Sequence, residues 1–236
     1  MRSRGASPER ADPRVCDDVA AGTGRRFAMN ASATPPRFLA LGDSYTIGEG
    51  VEANDRWPVL LAAALRREGT FLADPVIVAR TGWTTSELLA ALRDTELPND
   101  FELVSLLIGV NDHYRGLGLD AFVHDFGMLL SRAVAYAGGA PGRVIVASIP
   151  DWSVTPFAAG DPRSPAAIAA EIHHFNAVVR DASVARGARF VDVTSASRAA
   201  ARESRLLAAD GLHPAAAMYA SWVDLVLPEA RAALGA

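Results

Sequence analysis

The sequence predicts an α/β fold built on a central parallel sheet of about five strands. Three observations lead there. Five short apolar runs alternate with segments of helical periodicity, the order of βαβ units. Most of the runs are continuously apolar, as strands buried on both faces are. Polar residues able to do chemistry gather just beyond the ends of these runs, the edge at which open parallel sheets bind ligands.

The runs are Arg37 to Leu41, Pro75 to Ala79, Glu102 to Ile108, Arg143 to Ser148 and Arg189 to Val193. The first is stopped by Gly42 and the third by Gly109. Between them, Trp57 to Arg67 carries an amphipathic stripe. Thr84-Thr85-Ser86-Glu87 has the spacing of a capping box ahead of Leu88, Leu89 and Leu92. Further helices are expected over about Asp120 to Ala137 and Ala166 to Arg186. A last one is expected to open at Pro214, since proline suits a first helical position, and to run to about Leu234.

Residues 1–36 carry Arg, Asp, Ser, Gly and Pro without periodicity and read as a disordered extension, with Met29 a plausible alternative start. Residues 37–236 read as one domain. No run reaches the ~18 apolar residues of a membrane span, and no signal-peptide core is seen, so a soluble, cytoplasmic protein is expected. Net charge is -4, which gives no basic surplus for nucleic acid. All 23 basic residues are arginine, so a P-loop lysine, a Schiff-base lysine and a Ser-Lys dyad are excluded. The single cysteine, Cys16, permits neither an internal disulfide nor a multi-cysteine metal site. No cofactor is expected.

A serine hydroxyl needs an adjacent base, and histidine titrates in the right range. Of five histidines, only His213 has an aspartate three residues earlier, in Asp210-Gly211-Leu212-His213-Pro214. A tight turn at Gly211 would bring the Asp210 carboxylate to the imidazole, fixing its tautomer. Acyl transfer also needs donors aimed at a developing oxyanion. The backbone N–H of Ser44, the N–H of Gly82 and the side-chain amide of Asn111 are candidates, all on the same rim.

These segments are Gly42-Asp43-Ser44-Tyr45, Arg80-Thr81-Gly82-Trp83, Gly109-Val110-Asn111-Asp112 and Asp210-Gly211-Leu212-His213. Together, and in this order, they resemble the four sequence blocks of the SGNH (GDSL-type) serine hydrolases, from about Arg37 to the C-terminus. The resemblance implies a flavodoxin-like three-layer α/β/α sandwich. It implies Ser44 as nucleophile, Asp210 and His213 as its triad partners, and Gly82 and Asn111 as oxyanion donors beside Ser44. Two departures stand out. Arg80 occupies a position where the second block often has asparagine, and Tyr45 replaces the leucine of the GDSL name.

Around this constellation, Asp43, Trp83, His113, Tyr114 and Trp152 are further pocket candidates, with Asp43 and Asp112 also readable as turn or cap residues. Glu171 and His174 form a rival acid–histidine pair, read as a solvated helix face together with His173. His124, Trp57 and Trp222 are assigned to structure. The expected activity is hydrolysis of small or medium acyl esters through an acyl-serine. A metal-dependent phosphoesterase built from Asp43, Asn111, Asp210 and His213, an acyltransferase, and a carbohydrate-binding protein are the alternatives. The partner expected is a small-molecule ester. The segment from Asp151 to about Pro165 is a candidate lid. Acyl length, hydrolysis against acyl transfer, and oligomeric state are left open by the sequence.

Overall fold

A computed structural model describes residues 35–235. The extension expected over residues 1–36, with Cys16 and Met29, therefore lies outside the described residues but for its last two. Five parallel strands make one sheet: β1 (Phe38–Gly42), β2 (Val76–Ala79), β3 (Leu103–Leu107), β4 (Val144–Ala147) and β5 (Arg189–Val191), in the order β2-β1-β3-β4-β5. Leu39 lies beside Val76 on one side and Val104 on the other, and Ser105 lies beside Ile145. Strands β1, β3 and β4 are buried along their whole length, which is why they read as unbroken apolar runs. β2 is an edge strand and its Val76 is exposed.

Among the described residues eight α-helices accompany the sheet: α1 (Ser44–Ile47), α2 (Trp57–Arg67), α3 (Thr85–Asp94), α4 (Val110–Tyr114), α5 (Leu119–Tyr136), α6 (Pro165–Arg186), α7 (Thr194–Ser197) and α8 (Ala216–Leu234). α2 packs on α8, while α3 packs on α5 and α5 on α6. Strand order and the usual right-handed crossovers put the two groups on opposite faces, making three layers. Trp57 and Trp222 are buried in the core, as expected of packing residues. No helix of the described residues is long and apolar enough to cross a membrane.

Strand boundaries fall within two residues of expectation. β5 is the shortest because the chain turns at once: Val193 N–H and Thr194 N–H donate to Ser148 Oγ at 2.9 and 3.0 Å. The capping box forms in full, Thr84 Oγ1 accepting from Glu87 N–H and Glu87 Oε2 from Thr84 N–H. The last helix opens later than expected. Pro214 bridges antiparallel to Leu207, Ala208 N–H donates to the His213 carbonyl and Ala215 N–H to the Leu206 carbonyl, so the helix starts only at Ala216. This small bridge holds the stretch that carries His213.

The chain leaves β1 for β2 on one side, then returns across β1 to β3 on the other. The carboxyl ends of β1 and β3 thus flank the point where the strand order reverses, the place where open sheets of this order bind ligands. Ser44 follows β1 and Asn111 follows β3.

Candidate active site

The loop that carries Ser44 is set by close packing. A side chain at Gly42 would run into the Thr46 side chain and the Leu107 carbonyl, so only glycine lets the chain turn here. Asp43 then caps α1, its Oδ1 accepting from Tyr45 N–H at 3.0 Å. Ser44 is the first residue of α1 and is nearly buried. Asp43 is fully buried and its Oδ2 has no partner. Burial pushes its carboxyl up to about 8, against the Tyr45 hydrogen bond and with help from nearby Asp112.

His213 arrives from 169 positions further along the chain. Gly211 takes φ +68°, which closes the turn between Asp210 and His213. Asp210 Oδ1 accepts from Leu212 N–H at 2.9 Å and His213 N–H at 3.0 Å. Its Oδ2 lies 2.6 Å from His213 Nδ1, and His213 Nε2 lies 2.9 Å from Ser44 Oγ. Partial burial raises the Asp210 carboxyl, but these hydrogen bonds outweigh it and hold the group below the usual aspartate range. With Nδ1 facing a carboxylate, the imidazole presents Nε2 to the serine as an acceptor. The Tyr45 ring packs on His213 with centroids 5.3 Å apart and on Trp222 at 6.2 Å, so the residue replacing the GDSL leucine walls in the imidazole.

The opposite wall is the segment between β2 and α3. Gly82 adopts φ +86°, a conformation side chains disfavour. Asn111 Nδ2 donates to the Trp83 carbonyl at 2.9 Å, which fixes its carboxamide and leaves a second N–H for a ligand. Asp112 is no local turn cap: its carboxylate accepts from Thr85 N–H at 2.9 Å and Thr85 Oγ1 at 2.5 Å, bracketing the start of α3.

Ser44, Gly82, Asn111 and His213 open on one cleft of about 190 Å³. Its far side is aromatic and apolar: Tyr114, Trp152, Phe157 and Leu212. Trp152 and Phe157 belong to the segment after β4, which is indeed long and irregular, with two 3₁₀ turns, and which touches the histidine turn through Phe157 N–H to the Gly211 carbonyl at 3.3 Å. Three of the expected pocket residues do not line the cleft. Asp43 is tucked beneath α1. Trp83 packs against the core and contributes only its carbonyl. His113 faces inward behind Trp152, where its Nδ1 accepts the Trp152 indole N–H at 3.2 Å and its Nε2 lies 2.9 Å from Glu171. The acid expected beside His174 therefore pairs with His113 instead, and Arg163 joins them by donating to Glu171 at 2.8 Å and Asp161 at 2.9 Å. His124, His173 and His174 are exposed on their helices.

Residues 40–220, which include every member of this constellation, match the GDSL-like Lipase/Acylhydrolase family. The chain belongs to that family. As a GDSL hydrolase it shares its fold with several solved structures. One is TesA, with 24% identity over 84% of this chain and 99% of that one and a TM-score of 0.64. Another is phospholipase A1 from Streptomyces albidoflavus NA297, with 22% identity, coverage of 83% and 98%, and a TM-score of 0.62. A third is Axe2, an acetylxylan esterase from Geobacillus stearothermophilus, with 17% identity, coverage of 85% and 94%, and a TM-score of 0.61. At these identities the likeness is one of fold. No curated protein sequence matches this GDSL hydrolase.

Proposed function

We propose that this GDSL hydrolase cleaves carboxylic esters of small or medium acyl groups through an acyl-Ser44 intermediate. The observation that carries the reading is the continuous hydrogen-bonded chain Ser44–His213–Asp210 at the mouth of an apolar cleft. His213 Nε2 takes the Ser44 proton as Oγ attacks the ester carbonyl. The oxyanion that forms is held by the N–H groups of Ser44 and Gly82 and by Asn111 Nδ2. The tetrahedral species collapses, His213 returns the proton to the leaving alcohol, and Ser44 keeps the acyl group. A water then attacks the acyl-serine, losing its proton to His213, and the carboxylic acid leaves as Ser44 recovers its hydrogen.

The fold houses both an acetylxylan esterase and a phospholipase A1, so acyl length is argued from the cleft. At about 190 Å³ it is smaller than the roughly 300–1,000 Å³ of sites for drug-sized ligands, which favours short acyl chains. The metal-ligand set Asp43, Asn111, Asp210 and His213 is not favoured. Asp210 is taken up by His213 and two amides, Asn111 by Trp83, and Asp43 faces inward. Among the described residues no group of three or more His, Cys, Asp or Glu is placed to hold an ion.

The test is a set of p-nitrophenyl esters from acetyl to dodecanoyl, in EDTA, with wild type and Ser44→Ala side by side. Wild-type turnover that vanishes in the variant is expected, and an optimum at the short end sizes the cleft. Undiminished turnover by Ser44→Ala would remove Ser44 as nucleophile.

A further inference from the structure

Of the three rim segments, the one carrying Gly82 has the least support from the sheet. It follows an edge strand, Arg80 and Thr81 are exposed, and the hydrogen bond closing its turn is Trp83 N–H to the Arg80 carbonyl at 3.2 Å. Yet an oxyanion donor must be fixed before the reaction to contribute to it. Apart from the Thr81 hydroxyl, which donates to the Glu49 carboxylate, what fixes this loop comes from α4 and the residue that ends it. Asn111 grips the Trp83 carbonyl, Asp112 grips Thr85, and Arg115 reaches the Gly82 carbonyl with Nη2 at 2.5 Å.

The Arg115 contact has a second arm. Nη1 donates to Glu87 Oε1 at 3.3 Å, and the other oxygen of Glu87 accepts Thr84 N–H at 2.8 Å. Arg115 and Glu87 thus close a ring across the tripeptide Gly82–Thr84, from the carbonyl at its front to the amide at its back. The backbone of Arg115 is itself tied to Asn111, its N–H donating to the Asn111 carbonyl at 3.0 Å. Both loop-borne and side-chain oxyanion donors are therefore referenced to one rigid turn. A planar guanidinium addresses two acceptors at once, which a lysine ammonium on a flexible stem does not reproduce.

We propose that Arg115 is a positioning residue for the oxyanion hole: by bridging the Gly82 carbonyl and Glu87 it holds the Gly82 N–H in line with the reacting carbonyl. The inference rests on the acyl-serine reading above. Arg115 does not touch the substrate; it acts through Gly82. Its side chain is 43% exposed and outside the core, so the stability of the fold depends little on it.

The test compares wild type, Arg115→Ala and Arg115→Lys, with Ser44→Ala as reference, on a short-chain p-nitrophenyl ester. Three quantities are read: kcat and KM separately, the melting temperature, and the affinity of an alkyl boronic acid. The boronate forms a tetrahedral adduct on Ser44 with an oxygen in the oxyanion position. Both Arg115 variants are expected to lose ~10- to 10²-fold in kcat, below the loss for deleting a donor outright, with KM unchanged. Boronate affinity should weaken by a similar factor while the melting temperature holds. Turnover within about threefold of wild type in Arg115→Ala overturns the proposal. So does a loss that follows the melting temperature with boronate affinity retained, which would make Arg115 merely structural. If Ser44→Ala is inactive and the Arg115 variants are normal, only this inference fails; if Ser44→Ala is active, the acyl-serine reading itself fails.

Discussion

Trp152 donates its indole N–H to Nδ1 of His113 across 3.2 Å, and that bond decides where the His113 proton sits. With Nδ1 accepting, the proton of the neutral ring is on Nε2, directed at Glu171. Burial lowers the His113 pKa and the Arg163 charge adds to this, against the opposing pull of Glu171 and Asp161. The folded protein thus holds His113 neutral where the unfolded chain begins to bind a proton, near pH 6.5.

The sign of the consequence follows. Below about pH 6.5 the unfolded state takes up a proton that the folded state refuses, so this group erodes stability as pH falls. His113→Leu should cost about 1–3 kcal/mol at about pH 8, because the Trp152 N–H is left buried and unpaired. The gap between wild type and variant should narrow toward about pH 5. Urea denaturation at the two pH values measures both effects, and a gap that widens in acid would contradict the assignment.

Asp43 predicts the opposite pH trend. Its pKa is raised from 3.8 to about 8 on folding, so its contribution to stability is full below the lower value and is lost as pH rises through the upper one. Asp43→Asn cannot ionise, and its amide oxygen can still accept from Tyr45 N–H. Its stability relative to wild type should therefore improve steadily from about pH 4 to about pH 8. Thermal melts across that range are the measurement; a flat difference would mean Asp43 titrates normally.

Asn111→Ala removes one of the proposed oxyanion donors and the anchor on the Trp83 carbonyl together. Turnover should fall by roughly 10²–10³, with KM little changed. Steady-state kinetics on p-nitrophenyl acetate would show it, and near-wild-type turnover would assign Asn111 to the turn alone.

Phe157 stands at the outer edge of the cleft, 5.7 Å from Tyr114 and 6.1 Å from Trp152 between ring centroids, and is 39% exposed. Phe157→Ala should lengthen the cleft without opening the core. The optimum of kcat/KM along the p-nitrophenyl ester series should move to longer chains, each added methylene gaining on the order of 1–3 kcal/mol where it finds a wall. An unchanged optimum would place the acyl chain elsewhere.

The sheet was legible because β1, β3 and β4 are buried on both faces and so are written as unbroken apolar runs. The pairing of Asp210 with His213 was legible locally, as an aspartate three residues before a histidine across a glycine turn, whereas the juxtaposition of His213 with Ser44 was implied by the resemblance of the four segments to SGNH hydrolases. The pairing of Glu171 with His113 was not legible, since the two are 58 residues apart and the nearer histidine on α6 is the more obvious partner. Arg115 was missed for the same reason. An arginine at the end of a five-residue helix looks like surface, and its value lies in a carbonyl 33 positions earlier. Asp112 could have been suspected from its place beside Asn111, but its target, Thr85, is visible only once α3 and α4 are set side by side.

Ser44 and His213 are separated by 169 positions, with all of β2 to β5 between them. Their contact is thus a long-range one, and its loop is closed only when the intervening strands have paired. A chain whose strands have not paired leaves the Ser44 hydroxyl without the imidazole that it meets in the folded protein. On the acyl-serine reading proposed above, ester turnover therefore reports on the assembly of the whole sheet and not of either flank alone.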